Sequence, residues 1–384
     1  LLLIAFSSIQ KALYTRDFDF KKLFTIRIFT ILVPFAVTIP LAVLGFSYWS
    51  IIIGTITTHL LNAILLTVFS KWKPRLFYKF RLFKEMFSFS FFTLLEALTI
   101  WIATWADLFI IGQFFDEYYL GLYRNSNAMV NTLMALITAS IMPVLFSALS
   151  RMQNDEKGFN RTFLKTQRLT AMLVIPMGIG LFFFRDLATN IMFGDQWMEA
   201  SLIIGINGLT SAFVIVFSHF NSEVFRAKGK PLLSTIAQVI YLILLIPTCI
   251  IFAQKGFFEL VFARALIRLQ FTSLLFMSFI IKFPVRKIFT NMIPIFISTA
   301  VMGGVAYLLL LISTAMWWQF ISIFICIGVY AGMLTLFPST KGILLTVLKK
   351  VYNKIMIVLK KDKKLKTENP KLLDAIIEES EEEK

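Results

Sequence analysis

FTLLEALTIWIATWADLFIIGQF, residues 92–114, places Glu96 and Asp107 inside a long apolar run that begins near Phe87. A carboxylate in hydrocarbon costs at least a few kcal/mol, so it persists only where it faces protein or water. On a helix the two residues are eleven positions apart, close to three turns, and therefore share a face. We expect both carboxylates to face the interior of a helix bundle.

LGLYRNSNAMVN, residues 120–131, opens the second apolar stretch of the predicted hairpin, which ends near Leu149. Arg124, Asn127 and Asn131 follow an i, i+3, i+7 pattern and therefore also share one helix face. Such a polar seam favours either hydrogen bonding between neighbouring helices or a role in transport. Both interpretations remain open at this point.

The composition of the chain indicates a polytopic α-helical membrane protein. Hydrophobic residues make up 58% of the 384 residues and charged residues 16%, with a mean hydropathy of +0.78. Soluble domains contain about 45–50% and about 25%, respectively. The net charge of +16 would suggest nucleic acid in a soluble protein, but here Lys and Arg lie in short loops between apolar runs. Membrane topology therefore explains the charge, and we expect no nucleic-acid partner.

Ten complete membrane spans are predicted after a partial first one. The run LLLIAFSSIQKAL is shorter than the roughly 20 residues needed to cross a bilayer, so it is interpreted as the end of an N-terminally truncated span. The predicted spans are 24–44, 47–69, 86–113, 119–149, 166–193, 200–225, 231–253, 257–281, 288–312 and 317–337.

Charge alternates between successive loops. Clusters of Lys and Arg, such as KWKPRLFYKFRLFK at residues 71–84, occupy every second loop, whereas the opposite loops hold little beyond Arg185 and Lys255. Basic loops stay in the cytoplasm, so the pattern predicts a multi-pass protein of the bacterial cytoplasmic membrane with a cytoplasmic C-terminus. Residues 341–361 predict an amphipathic helix on the membrane surface, followed by a disordered acidic tail.

Motifs for catalysis and metal binding are missing from the sequence. It contains neither a phosphate-binding G-x-x-x-x-G-K-[ST] loop nor an H-E-x-x-H zinc motif. Cys249 and Cys326 both fall within predicted spans. His219 and Glu223, at i and i+4, allow either a proton relay or an ordinary interhelical hydrogen bond. We therefore expect no enzyme activity, no cofactor and no metal.

The run QKALYTRDFDFKKL, followed by LAVLGFSYWSIIIGTI, resembles the cytoplasmic loop and the next two spans of Wzx-type polysaccharide flippases, which belong to the multidrug/oligosaccharidyl-lipid/polysaccharide exporter superfamily. ADLFIIGQFFDEYYLGLYRNSNAMV resembles their D-x-x-I-I-G … L-G-x-Y signature, and IMPVLFSALSRMQND and FGDQWMEAS resemble two later elements. Arg124, directly after this signature, departs from the pattern, so its role is argued on physical grounds.

The resemblance implies a fourteen-span fold with two six-helix lobes and a C-terminal helix pair. On that template the chain divides into the remainder of an N-terminal lobe (1–69), a basic cytoplasmic loop (70–85), a C-terminal lobe (86–282), an extra helix pair (287–338), and a cytoplasmic amphipathic helix with its tail (339–384).

The function implied by the resemblance is flipping of a polyprenyl-diphosphate-linked oligosaccharide for O-antigen, capsule or exopolysaccharide synthesis. Its implied partners are this lipid-linked substrate, membrane lipids and the polysaccharide polymerase machinery. A dianionic diphosphate needs a hydrated cavity with positive charge. The candidate substrate-binding residues are Arg124, Arg264, Arg268, Asn127 and Asn131.

A structural role for the arginines is the alternative. Counting about 1.5 Å per residue from the helix ends places Asp107 near Arg264, and Glu96 near Arg268. Three arginines against two carboxylates would then leave one positive charge for a phosphate.

Two other functions remain open. The same superfamily contains cation-coupled multidrug antiporters, in which Glu96 or Asp107 would be the candidate ion-coupling carboxylate. A membrane scaffold without transport is the third possibility, and no sequence feature favours it.

Overall fold

The computed structural model describes residues 2–70, 72, 79–269, 271–343 and 345–346. All regular elements in these ranges are helical. They are α1 (Leu2–Arg16), α2 (Phe20–Val33), α3 (Ile39–Val43), α4 (Tyr48–Phe69), α5 (Phe80–Phe114), α6 (Glu117–Arg151), α7 (Glu156–Phe183), α8 (Arg185–Phe193), α9 (Ala200–Val214), α10 (Phe220–Ala227), α11 (Pro231–Ala253), α12 (Phe257–Arg268), α13 (Thr272–Phe279), α14 (Val285–Ile312) and α15 (Met316–Leu336). One 3₁₀ turn (Asp195–Trp197) and two π-helical turns (Pro34–Thr38 and Ile215–His219) interrupt the series.

The prediction of an all-α bundle with ten membrane spans is confirmed. Ten helical segments within the described ranges are long and apolar enough to cross a bilayer. Three of these spans join elements across an interruption, namely Phe20–Val43, Ala200–Ala227 and Phe257–Phe279. Their continuity explains why each was predicted as a single apolar run.

The burial pattern is that of a protein solvated by lipid. Large apolar side chains such as Trp101, Phe109 and Phe324 are exposed, whereas Glu96 and Asp107 are buried. Hydrocarbon solvates apolar side chains as well as a protein core does, so polar groups are the ones that must turn inward. The expectation for the two carboxylates is confirmed.

The hairpin of α5 and α6 has the predicted form but longer helices. The turn ends at Asp116, whose side chain accepts a hydrogen bond from the backbone N–H of Tyr119 at 3.4 Å and so caps α6. Because α5 already begins at Phe80, Glu96 lies sixteen residues inside the helix. The membrane span within this helix starts at Met86, as predicted, so the depth of Glu96 in the span is unchanged.

The fifth predicted span, 166–193, was placed too far along the chain. The observed helix α7 runs from Glu156 to Phe183, and a separate helix, α8, starts at Arg185. The 28 residues of α7 are about 42 Å long at 1.5 Å per residue, so α7 already crosses the bilayer. The charged pair Arg185–Asp186 then starts a new, more polar helix.

The chain separates into two compact units. The first unit comprises Leu1–Thr170 and Thr210–Val285, and the second comprises Ala171–Leu209 and Arg286–Lys384. In the first unit α11 packs along α5, where the hydroxyl of Thr235 donates to the carbonyl of Phe92 at 2.7 Å. In the second unit the Tyr330 hydroxyl donates to the carbonyl of Met172 at 2.8 Å.

The lobe boundaries at residues 69, 86, 282 and 287 remain predictions. Residues 338–343 are helical, but most of the predicted amphipathic helix and all of the acidic tail lie outside the described residues.

Candidate functional site

A polar cavity of about 380 Å³ lies within the first unit, among α5, α6, α9, α10, α11 and α12. Its charged lining residues are Glu96, Glu223, Arg226, Arg264 and Arg268. The cavity is also lined by six neutral polar residues, which are Thr104, Ser218, His219, Ser222, Gln238 and Tyr241. The cavity thus brings together five charged side chains from α5, α10 and α12.

Glu96 forms its ion pair with Arg226. The Nη2 atom of Arg226 lies 3.1 Å from Oε2 of Glu96, and its Nη1 atom lies 3.1 Å from Oε1 of Glu223. The side chain of Glu96 is 2% exposed and that of Arg226 is 29% exposed. Arg226 therefore connects two carboxylates, one of them almost completely buried.

The predicted pairing of Glu96 with Arg268 was wrong. The predicted span ended at residue 225, just before Arg226, but α10 continues to Ala227 and brings Arg226 to Glu96. The sequence did contain a pattern that places Arg226 on the polar face of this helix. Glu223 and Arg226 are at i and i+3, and Arg226 follows His219 by seven residues. Both spacings put these three residues on one helix face.

Asp107 and Arg264 form the second ion pair, as the count of helix depth predicted. The Arg264 Nε atom lies 2.6 Å from Oδ2 of Asp107, with side-chain exposures of 12% and 2%. Tyr123 donates its hydroxyl hydrogen to the same oxygen at 2.8 Å, and its ring centroid lies 5.3 Å from the Arg264 guanidinium carbon. The contacts among Asp107, Tyr123 and Arg264 hold α5, α6 and α12 together. Arg264 also lines the cavity.

Arg268 has a different environment from the other two arginines. Its Nη1 atom donates to the Ser211 hydroxyl at 2.9 Å, and among the described residues no carboxylate lies within 4.0 Å of it. Arg268 is also the last residue of α12, and the next helix starts at Thr272. A cation is favoured at this end of a helix dipole, and broken helices in membranes often end at binding sites.

The charge balance differs from the predicted excess of one positive charge. Arg226 replaces Arg124 in the count and Glu223 adds a third carboxylate, so three arginines face three carboxylates. Their distribution is uneven, however, because Arg226 contacts two carboxylates whereas Arg268 contacts none in the described structure. With every group ionised, the cluster of Glu96, Glu223 and Arg226 has a net charge of −1, the pair of Asp107 and Arg264 is neutral, and Arg268 carries +1.

The predicted polar seam on α6 lies away from this cavity. Arg124 and Asn131 are exposed, Asn127 is half-buried, and none of the three lines the cavity. The side-chain amide of Asn127 donates to the carbonyl of Tyr123 at 3.0 Å. A role for these three residues in substrate binding remains a prediction.

A second cavity of about 770 Å³ shares Met142, Glu223 and Arg226 with the first. Its lining also includes basic residues near the predicted cytoplasmic end, and these are Lys11, Arg16 and Arg151. Arg151 donates to the carbonyl of Arg16, and its guanidinium carbon lies 4.4 Å from the ring centroid of Phe18. An anion approaching the first cavity from this side would pass a positively charged rim.

A π-helical turn, Ile215–His219, forms part of the wall of the first cavity. A π turn leaves carbonyls without their usual α-helical partners. Gln167 donates to the carbonyl of Val216 at 2.8 Å, while Asn221 and Ser273 donate to that of Phe217 at 2.5 and 3.2 Å. The turn is therefore supported by three buried polar side chains.

Metal-binding chemistry finds no support in the described residues. No group of three or more His, Cys, Asp or Glu side chains there could hold a metal ion.

Taken together, the fold and the cavity define a multi-pass membrane protein with a charged internal site. The sequence pattern of the family described as polysaccharide biosynthesis protein matches residues 1–202. The chain belongs to this family, and the predicted resemblance is confirmed.

Similarity to individual proteins agrees with the family. The chain is 23% identical over 184 residues to the succinoglycan biosynthesis transport protein ExoT of Rhizobium meliloti, covering 48% of this chain and 37% of ExoT. It is 25% identical over 160 residues to the teichuronic acid biosynthesis protein TuaB of Bacillus subtilis, covering 42% and 33%. It is 24% identical over 167 residues to the probable low-salt glycan biosynthesis flippase Agl15 of Haloferax volcanii, covering 42% and 34%. The matches thus span about a third of each relative.

A solved structure shows the same fold. The lipid II flippase MurJ in an inward closed conformation matches with a TM-score of 0.58 and 20% identity, covering 87% of this chain and 73% of MurJ. The predicted kinship with the exporter fold is thereby confirmed at the level of architecture.

Proposed function

We propose that this protein flips a polyprenyl-diphosphate-linked oligosaccharide across the bacterial cytoplasmic membrane by alternating access. The product would serve O-antigen, capsule or exopolysaccharide synthesis. The family, the names of its relatives and the MurJ-like fold support a transporter of lipid-linked glycans. The proposal includes no catalytic step, and its partners are the lipid-linked substrate, membrane lipids and the polymerase machinery.

The observation that carries the proposal is Arg268, a membrane-embedded arginine with no carboxylate within ion-pair distance in the described structure. Burying such a cation is costly unless it faces water or an anion. The cavity supplies the water, and a diphosphate would supply the anion. Arg264 lines the same cavity, but its Nε atom is already engaged by Asp107 at 2.6 Å. We therefore assign the principal diphosphate contact to Arg268.

A cation-coupled antiporter is the second candidate, because Glu96 and Glu223 both line the cavity. An incoming metal ion or organic cation would have to displace Arg226, which contacts both carboxylates at 3.1 Å. The same carboxylates fit ion coupling in a flippase, where a bound cation would drive the movement of the anionic substrate. Glu96 is our candidate for that role, whereas Asp107 lies in the cluster with Tyr123.

The first prediction concerns Glu96. Glu96→Gln is expected to abolish transport while leaving the amount of protein in the membrane near normal, because Arg226 keeps Glu223 as a partner. The measurements are restored surface polysaccharide in a strain without its flippase and an immunoblot of membranes. Glu117→Gln, at an exposed acid at the start of α6, is the matched control. Loss of the protein itself would instead assign Glu96 to folding.

The second prediction concerns sidedness. Single cysteines at Ser47, Phe115 and Gln254 are expected to react with a membrane-impermeant maleimide added to whole cells, whereas cysteines at Ser70, Asn154 and Ser339 should not. Basic loops stay in the cytoplasm, and this places the second group inside. The native Cys249 and Cys326 are buried, which keeps the background low. Labelling at Asn154 from outside would overturn the proposed orientation.

A further inference from the structure

Five of the six neutral polar residues that line the cavity make no side-chain hydrogen bond within the described structure. Ser218, His219, Ser222, Gln238 and Tyr241 all line the cavity. Their side chains make no hydrogen bond with any residue that the structure describes. The sixth residue, Thr104, donates its hydroxyl hydrogen to the carbonyl of Ile100 in its own helix at 2.9 Å, as serine and threonine hydroxyls in a helix often do. The five side chains therefore present hydrogen-bond donors and acceptors to the cavity that are available to a ligand.

The π-helical turn supports this part of the cavity wall at a cost to stability. The side-chain oxygens of Gln167 and Asn221 are buried without a donor in the described structure. The amide groups that support the turn therefore use their N–H donors but leave their oxygen acceptors without a partner. Buried polar groups without partners destabilise a fold, and π turns occur frequently at functional sites. The turn places Ser218 and His219 in the lining of the cavity.

The chemistry of the five side chains fits a saccharide. Serine and tyrosine hydroxyls, a neutral imidazole and a primary amide can each donate and accept, and so can sugar hydroxyls. A phosphate only accepts, and it is matched by the arginines. The volume of about 380 Å³ lies at the small end of the range of about 300–1,000 Å³ for ligand pockets. The cavity therefore suits a small part of an oligosaccharide.

We propose that Ser218, His219, Ser222, Gln238 and Tyr241 form a saccharide-binding wall for the sugar next to the diphosphate. This inference rests on the proposed function and assigns the recognition of the glycan to specific residues. Arg268 holds the diphosphate, the wall contacts the first sugar, and the rest of the glycan lies outside the cavity.

The test compares two lipids on the purified chain in nanodiscs, by microscale thermophoresis. One lipid is undecaprenyl diphosphate, and the other carries a single sugar, chosen from a panel of hexoses and N-acetylhexosamines. At least one sugar-bearing lipid is expected to bind about tenfold more tightly than the sugar-free lipid, as one or two hydrogen bonds would give.

Variants of the wall should remove this difference selectively. His219→Ala and Gln238→Leu are expected to lower the affinity ratio to about twofold or less, while the affinity for the sugar-free lipid stays unchanged. Gln167→Leu, which removes a support of the π turn, should lower the ratio in the same direction. His59→Ala, on α4 and outside the cavity, should leave the ratio as it is.

The small number of histidines offers a second readout. His59 and His219 are the only two in the chain, so His219 is the one histidine that diethyl pyrocarbonate can modify in a His59→Ala background, and the absorbance of its N-carbethoxy adduct follows it separately from other side chains. The sugar-bearing lipid should slow this modification, and the sugar-free lipid should not.

The outcomes separate the two proposals. If the chain binds neither lipid, the proposed function fails, and the inference fails with it. If the chain binds the sugar-free lipid and every sugar-bearing lipid equally, or if the His219 and Gln238 variants keep the difference, the saccharide wall is overturned while the diphosphate site stands.

Discussion

Asp107→Asn is expected to destabilise the protein severely, because it leaves the Arg264 cation without its carboxylate in a buried cluster. Breaking a buried ion pair on one side typically costs about 3–5 kcal/mol. Both partners are almost completely buried, with side-chain exposures of 2% and 12%. The amount of protein in the membrane and its thermal unfolding temperature in detergent should both fall.

The double variant distinguishes this explanation from a general intolerance of position 107. Asp107→Asn combined with Arg264→Gln replaces the ion pair by neutral side chains, and it is expected to recover most of the lost stability. Asp186→Asn, at an exposed acid in the second unit, is the control and should behave as wild type. If Asp107→Asn alone had normal abundance and a normal unfolding temperature, this result would contradict the structural role of the ion pair.

Arg268→Gln is expected to have the opposite profile, with normal abundance and a large loss of ligand binding. No described carboxylate pairs with Arg268, so the substitution leaves no partner charge unpaired. A hydrogen bond to a charged group contributes about 1.5–3 kcal/mol, which corresponds to a loss of about 10- to 100-fold in the affinity for undecaprenyl diphosphate. Thermophoresis on the purified variant measures this change.

Two comparisons make the second result specific. Arg268→Lys keeps the charge without the planar donor geometry, and it should retain part of the affinity. Arg161→Gln, at an exposed arginine of α7, should bind as wild type does. If Arg268→Gln bound undecaprenyl diphosphate as tightly as wild type, Arg268 would not be the principal diphosphate contact.

The sequence was sufficient to predict the bundle and, of the ion pairs formed by Glu96 and Asp107, the one at Asp107. Apolar runs of about 20 residues locate spans because hydrocarbon thickness sets their length. The pairing of Asp107 with Arg264 followed from depth alone, since each residue lies in a continuous α-helical segment where a rise of about 1.5 Å per residue holds.

The same count failed for Glu96 because its observed partner, Arg226, lies one residue beyond the predicted span 200–225 and was left out of the count. The span carrying Arg226 contains a π turn at Ile215–His219 and continues to Ala227, while α12 ends at Arg268. Neither the turn nor the helix end changes the hydropathy of the sequence, so a periodic pattern does not reveal them. Loop charge also misled the prediction, because Arg226 precedes Lys228 and Lys230 and looks like part of the basic loop.

The neutral residues of the cavity were harder still to predict. Ser218, Ser222, Gln238 and Tyr241 are ordinary members of apolar spans, where a hydroxyl or amide usually bonds to its own helix or to a neighbour. Only the three-dimensional structure shows that these side chains have no such partner in the described residues. Conversely, Arg124 and Asn131 looked functional because of their spacing, yet they do not line the cavity.

The most direct test of the central claim is glycan transport by a variant with the diphosphate contact removed. The gene that encodes this chain is placed in a bacterium whose own flippase gene is deleted, and surface polysaccharide is quantified alongside the amount of the protein in the membrane. We predict that wild type restores the polysaccharide and that Arg268→Gln, at equal abundance, does not. Restoration by Arg268→Gln to the wild-type level would contradict the account.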